Sequence, residues 1–290
     1  MGALLALVAP LGGCRSSLLD PAGPVGAAER TLLLDALALM LAIVIPTLLA
    51  VLATAFWFRA GNARAVRRPT FAYSGRLELL VWSIPALTVL FLGGVAWVSA
   101  HDLDPARPLA SRRAPLEIDV VAMDWKWLFI YPAQGVASVN RLVAPAGTPL
   151  RLRVTSASVF NGFFVPALGS QIYAMNGMVE DLNLMAARQG RFHGLSSHFS
   201  GDGFADMGFE VEATSDAGFA AFLAGAKAGG GLLDAKAYAR LEAPGVAPAP
   251  VTFGALAPRL FETVALRRSD AAPAPPPPPP QAVSPNVRRS

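Results

Sequence analysis

Two long stretches without a charge constrain this chain more than any other feature. No Asp, Glu, Lys or Arg occurs between Asp35 and Arg59, and none occurs between Glu78 and His101. Each run, taken as a helix, is long enough to cross about 30 Å of hydrocarbon. Charged residues make up only 15% of the 290 residues, so the apolar excess has to be located before any globular core is inferred. The spans are predicted at 31–58 and 77–100, forming a transmembrane hairpin. Each holds a proline, Pro46 and Pro85, which predicts a freed carbonyl and a bend. Interrupted spans are tolerated where another helix packs alongside, so other membrane subunits are expected against this hairpin.

The formal charge is +4, but Arg59, Arg64, Arg67, Arg68 and Arg76 all lie between the spans. That is positive-inside patterning rather than a nucleic-acid face, and it places the 59–76 loop in the cytoplasm. The N-terminus and everything after residue 100 then lie on the other side, which in a bacterium is the periplasm. Cys14 is the only cysteine, so neither an intrachain disulfide nor a thiolate metal cluster can form. Leu11-Gly12-Gly13-Cys14 resembles the lipobox at which bacterial lipoprotein precursors are cut and acylated. A signal segment at 1–13, a lipid anchor on Cys14 and a periplasmic stretch at 14–30 are therefore expected. Met1–Pro10 contains no Lys or Arg, unlike the usual basic start. The preferred reading is a trimmed or mis-assigned start, and the alternative is an unmodified cysteine.

From about Pro115 the pattern changes from helical to alternating, as in Leu116-Glu117-Ile118-Asp119-Val120 and Leu150-Arg151-Leu152-Arg153-Val154. Half-buried strands have this period. Further strands are predicted at 127–131, 140–143, 163–165, 182–185, 191–195 and 209–213, separated by turn residues. Many short strands over roughly a hundred residues read as an all-β sandwich, expected at 112–214. A helical extension is expected at 215–268. Asp216 caps a helix with Phe219, Phe222 and Leu223 on one face, and a second helix covers 233–241; both are read as surface additions. The proline-rich 269–290 tail cannot bury a core.

Four strings carry a family resemblance: Glu78-Leu79-Leu80-Val81-Trp82-Ser83-Ile84-Pro85, Met123-Asp124-Trp125-Lys126-Trp127-Leu128-Phe129-Ile130-Tyr131-Pro132, Val154-Thr155-Ser156, and Val165-Pro166-Ala167-Leu168-Gly169-Ser170-Gln171-Ile172-Tyr173-Ala174-Met175. With the lipobox and the hairpin, the chain resembles subunit II of haem-copper terminal oxidases. The resemblance implies a cupredoxin-like sandwich outside the membrane and a hairpin packed on a large haem-bearing subunit.

In the cytochrome c branch of that family, two cysteines, two histidines, a methionine and a glutamate carbonyl hold two copper ions; the quinol branch has lost the centre. At the matching positions this chain has Asn161 for the first histidine, Ser196 and Ser200 for the thiols, and Phe204 for the second histidine, with Met207 retained. A protonated hydroxyl is a hard, weak ligand where copper needs a soft thiolate, so no metal is expected on this chain. His193 and His198 are five apart with nothing soft beside them and are read as ordinary histidines.

Trp125 and Trp127 share a face if their segment is extended. They are read as interface aromatics for docking, with sheet packing as the plain alternative. Glu78 begins the second span at its cytoplasmic end. The family places a glutamate of this motif at the mouth of a proton pathway, while a solvated helix-start carboxylate is the plain alternative; both remain open.

The resemblance implies a non-catalytic subunit II of a proton-pumping quinol oxidase, of the ubiquinol type although menaquinol fits these residues equally. The complex oxidises quinol and reduces oxygen to water. Haems and copper belong to the large partner subunit, other small membrane subunits complete the complex, and no cofactor is bound here. A free-standing lipoprotein with a ligand- or partner-binding sandwich is the alternative. A cytochrome c oxidase subunit with a copper pair ranks below both.

Overall fold

A computed structural model describes residues 18–66, 68–246 and 249–266. The leader at 1–13, Cys14 and the 269–290 tail lie outside the described residues. Two helices come first, α1 (Pro24–Trp57) and α2 (Gly75–Asp102). Both are long and apolar enough to cross a membrane, and none of the residues in the apolar stretch of each is fully buried. Each runs unbroken through its proline. Thr47, Thr54 and Thr88 return their hydroxyls to carbonyls one turn back, at 2.8, 2.7 and 2.8 Å, so these polar groups do not face hydrocarbon unpaired.

The two helices cover each other along a narrow seam. Leu32, Ala36, Leu39 and Ile43 of α1 are half-buried, as are Thr88, Leu92, Val95 and Ser99 of α2. Both sets recur at three- and four-residue steps, which is one stripe of a helix.

The first helix begins earlier than the apolar pattern alone predicts because its start is docked on the outer domain. Pro24 suits a first turn, where its missing N–H has no partner to lose. Ala22 donates to the Ala167 carbonyl at 2.6 Å, Gly26 donates to that of Leu168 at 2.9 Å, and the Ala22 carbonyl accepts from Ala187 at 2.7 Å. Gly23 passes so close that an added Cβ would lie 2.2 Å from the Met185 oxygen. On the far side of the hairpin, Asn183 donates its backbone N–H to Pro105 and its amide to Pro105 and Ala106. Both ends of the hairpin are thus fastened to the same domain.

That domain is a sandwich of two sheets. Its strands are β1 (Leu116–Met123), β2 (Lys126–Tyr131), β3 (Val136–Val139), β4 (Arg141–Pro145), β5 (Leu150–Ser156), β6 (Asn161–Phe164), β7 (Gln171–Ala174), β8 (Glu180–Leu184), β9 (Gly190–Ser196), β10 (Gly208–Thr214), β11 (Gly231–Leu233) and β12 (Val251–Leu256). The first sheet runs β11-β12-β3-β2-β1-β5-β8 and the second β4-β10-β9-β6-β7. β1 lies parallel to β5, and β4 parallel to β10. Trp127, Phe129, Phe163 and Phe209 meet between the sheets with ring centroids 5.0–6.4 Å apart. Tyr131 ties the layers together: its hydroxyl donates to the Val143 carbonyl at 3.0 Å and accepts the Val143 N–H at 2.8 Å. Burial pushes that phenol well above its ordinary range.

The segment after Thr214 differs from the helical surface addition its composition predicts. It supplies β11 and β12, and β12 pairs with β3. Helices α3 (Asp216–Gly229), α4 (Ala235–Glu242) and α5 (Leu260–Ala265) complete it. α3 does carry Phe219 inward, packed beside Tyr131 at 6.1 Å. Tyr238, Phe261 and Val264 form a second core with Val121, Met123, Leu128 and Ile130 on the outer face of the first sheet. β1 and β2 are therefore buried on both faces, and this back layer adds a second core behind the first sheet.

Candidate functional site

The positions matched to a copper centre converge at one end of the sandwich. Asn161 opens β6, Ser196 closes β9, and Ser200, Phe204 and Met207 lie on the loop between β9 and β10. The pairing of Phe163 with Ser196 brings the first two together. Asn161 is fully buried, and Ser196 and Met207 nearly so. The Asn161 amide donates to the Val159 carbonyl at 3.0 Å. The Ser196 hydroxyl lies 3.3 Å from Asn161 Oδ1 and 3.1 Å from the His198 carbonyl, sharing one proton between two acceptors. Ser200 points its hydroxyl at Met207 Sδ, 3.7 Å away.

These residues do not fit a copper centre. Two hydroxyls, an amide and a phenyl ring replace the soft donors such a centre needs, and the polar groups are consumed by one another. His198 packs its ring edge-on against Phe160 at 4.5 Å, and His193 stands on the exposed face of β9 opposite Glu210. The arrangement can hold its loops shut.

Trp125 and Trp127 both pack on the core between the sheets, but their settings differ. Trp125 sits in the β1–β2 turn with φ +76°, a left-handed conformation that breaks the two-residue alternation of an extended chain. Its indole N–H donates to the Ser200 carbonyl at 3.0 Å. Its ring lies so near Gly203 that an added Cβ would come within 2.4 Å. Trp127, in contrast, is wholly buried in the core. Docking through Trp127 is thereby corrected to packing, while the half-buried Trp125 clamps the loop of Ser200, Phe204 and Met207. The missed signal was the Met123-Asp124-Trp125 turn, which interrupts the apolar run with a single aspartate.

Lys126 follows the turn and is buried. Its ammonium donates to the carbonyls of Asp124 at 3.0 Å and Ala243 at 2.8 Å, and desolvation lowers its pKa from the usual lysine value. On the back of the first sheet, Asp119 is buried against Arg153 at 2.6 Å, and Arg153 also reaches Glu262 at 3.4 Å and lies over the Phe261 ring at 4.6 Å. Burial raises the Asp119 carboxyl above the ordinary range, and its hydrogen bond to Arg153 opposes that only in part.

Glu78 is far from all of these. It lies in the first turn of α2, where a carboxylate suits the helix dipole. Its Oε2 accepts the Trp82 indole N–H one turn along, at 3.0 Å.

The cytochrome c oxidase subunit II periplasmic domain family matches residues 116–214, which span β1 to β10. The chain is 45% identical over 251 residues to the cytochrome bo(3) ubiquinol oxidase subunit 2 of Pseudomonas aeruginosa, covering 87% of this chain and 76% of that protein. It is 47% identical over 234 residues to its counterpart in Pseudomonas putida, covering 81% and 74%. With the ubiquinol oxidase subunit 2 of Acetobacter aceti it is 42% identical over 272 residues, covering 90% and 88%. The chain belongs to the ubiquinol oxidase subunit II family. As a member of that family it is a subunit of a respiratory ubiquinol oxidase, with two candidate membrane spans and a periplasmic β-sandwich.

Proposed function

We propose that this subunit II is a non-catalytic docking and assembly element, with Glu78 at a proton entrance. The observation that carries the reading is the closed network at Asn161, Ser196, Ser200 and Met207. A domain whose former donor positions satisfy one another has structure to offer the complex rather than electrons. Haems, copper and quinol oxidation are then the work of the large partner subunit. The uncovered apolar surface of α1 and α2 is the docking surface within the membrane, and the fastening of both helices to the sandwich holds the outer domain over the same partner. Cys14 is proposed as an additional lipid anchor. Trp125 serves the interface indirectly by fixing its loop.

The test is a pull-down through this chain in mild detergent, with haem spectra and quinol-driven oxygen uptake measured on the product. Co-purifying haem and quinol-dependent uptake are expected. A chain that migrates alone without haem absorbance would overturn the proposal in favour of a free-standing lipoprotein.

A further inference from the structure

The loop between the two spans carries charge of one sign only. Residues 59–76 hold five arginines and no Asp, Glu or Lys. An excess of arginine directs how a chain inserts, but the folded chain also leaves these side chains without a counter-ion. In the outer domain Arg113, Arg141, Arg151 and Arg153 each pair with a carboxylate. Among the described residues Arg59, Arg64, Arg68 and Arg76 pair with none. Glu78, the acid next to the loop in sequence, gives its Oε2 to the Trp82 indole instead.

Local hydrogen bonds fold the start of the loop back on the end of α1. The Asn62 amide donates to the Trp57 carbonyl at 2.7 Å, and the Arg64 N–H donates to Asn62 Oδ1 at 3.2 Å. Arg59 donates to the Phe56 carbonyl at 3.0 Å and lies 4.0 Å over the Phe56 ring, which commits it to the helix end. Arg64 and Arg68 are exposed, and their guanidinium groups have no partner among the described residues. Phe56, Trp57, Phe58, Phe71 and Tyr73 of the same stretch expose their rings. Rings with cations in one short segment are the composition of a membrane interface, where the rings sit at headgroup level. Both ends of the hairpin are fastened to the periplasmic sandwich, so the loop lies at the far ends of α1 and α2, against the cytoplasmic leaflet.

We infer that this loop binds anionic phospholipid of the cytoplasmic leaflet, with Arg64 and Arg68 taking the phosphate oxygens. A guanidinium fork matches two oxygens of one phosphate. Net charge selects the class. A zwitterionic headgroup brings an ammonium that the arginines repel, whereas a phosphatidylglycerol headgroup brings the anion alone. A juxtamembrane cluster of four or more basic side chains is sufficient to hold such lipids by electrostatics. The inference rests on the two helices spanning a membrane, and it holds whether or not Glu78 conducts protons.

The test is native mass spectrometry of the complex purified through this chain in mild detergent and titrated with phosphatidylglycerol or phosphatidylcholine. Wild type should retain the glycerol lipid in preference to the choline lipid, and less of it as salt shortens the Debye length. Arg64→Gln should weaken retention about fivefold, which corresponds to about 1 kcal/mol, and Arg64→Gln/Arg68→Gln about 25-fold. Both variants keep Arg59, Arg67 and Arg76, so the inserted orientation is preserved. Equal retention in wild type and both variants would overturn the site, as would equal binding of the two lipids by wild type. Loss of haem from the double variant with its lipid count unchanged would show that these arginines meet a partner protein, which also overturns the inference. Displacement by water-soluble glycerophosphoglycerol at comparable concentration would make a free phosphate ester the ligand and overturn the lipid assignment.

Discussion

The Glu29 carboxylate of α1 accepts the Ser170 backbone N–H at 2.8 Å, across 141 positions of sequence. With the Gly26 to Leu168 bond beside it, this contact makes the membrane entry and the sandwich one mechanical unit. The intervening Gly169 has φ +88°, and a Cβ there would lie 2.5 Å from the Gly26 nitrogen.

Gly169→Ala should therefore loosen the junction. A left-handed non-glycine residue costs about 1–2 kcal/mol before any clash, so a loss of about 2 kcal/mol, or about 4–8 °C in Tm, is expected in detergent melts. Ser170→Ala is the control, because it keeps the backbone N–H and should shift Tm far less. Equal shifts for the two would mean that backbone closeness is not what joins helix to domain.

Trp127 and Trp125 should separate cleanly. Trp127→Ala empties a buried site and should cost about 3–5 kcal/mol, blocking assembly through misfolding. Its indole N–H is buried without a hydrogen-bond partner, so Trp127→Phe removes an unsatisfied donor and should cost much less. Trp125→Ala should leave the core melting nearly unchanged but speed proteolysis of the 197–207 loop. Limited proteolysis and calorimetry read both, and a Trp125 variant that unfolds the whole sandwich would refute the loop-clamp role.

The sequence made the hairpin and most of the first ten strands legible because charge-free runs and alternation report directly on the surroundings of each residue. β3, β7, β11 and β12 were not legible. Gln171-Ile172-Tyr173-Ala174 and Gly231-Leu232-Leu233 are too short to show a period, and β12 is recruited to the sheet only by pairing with β3. The back layer was misread for the same reason. Phe261 and Val264 have partners only once the first sheet exists to receive them. At the site, residue types sufficed to argue against copper, but the φ of Trp125 and the seal between Ser196 and Asn161 depend on tertiary placement.

Asp119 supplies a pH dependence. Burial raises its folded pKa above the ordinary 3.8, so between that value and the raised one the folded state holds more proton than the unfolded. Stability must then fall as pH rises through this window. Denaturant melts of the wild-type protein should show that decline, and Asp119→Asn should flatten it. A variant with an unchanged slope would assign the dependence to another group.

The closed network predicts indifference to copper. Adding copper to the purified protein should produce no near-infrared band and no rise in Tm, since soft donors are absent at Ser196 and Ser200. Asn161→Leu should instead cost about 0.5–1.5 kcal/mol, because the Val159 carbonyl and the Ser196 hydroxyl each lose one of two partners and keep the other, the Ser156 hydroxyl and the His198 carbonyl. Metal-induced stabilisation of the wild-type protein would contradict this reading.

Glu78 offers the sharpest division between two roles. As a helix-start carboxylate it contributes about 0.3–1 kcal/mol through the dipole, so a purely structural role predicts a small Tm shift and unaltered turnover in Glu78→Ala. As a proton entrance it predicts the reverse, with oxygen uptake slowed about tenfold or more, equivalent to about 1.4 kcal/mol on the limiting barrier, and assembly intact by haem content. Trp82→Phe removes only the 3.0 Å indole hydrogen bond to Oε2 and keeps the carboxylate. It should slow turnover less than Glu78→Ala, because the acid that takes up the proton is still present. Wild-type uptake and pumping in Glu78→Ala would remove the proton role and leave Glu78 as a helix start.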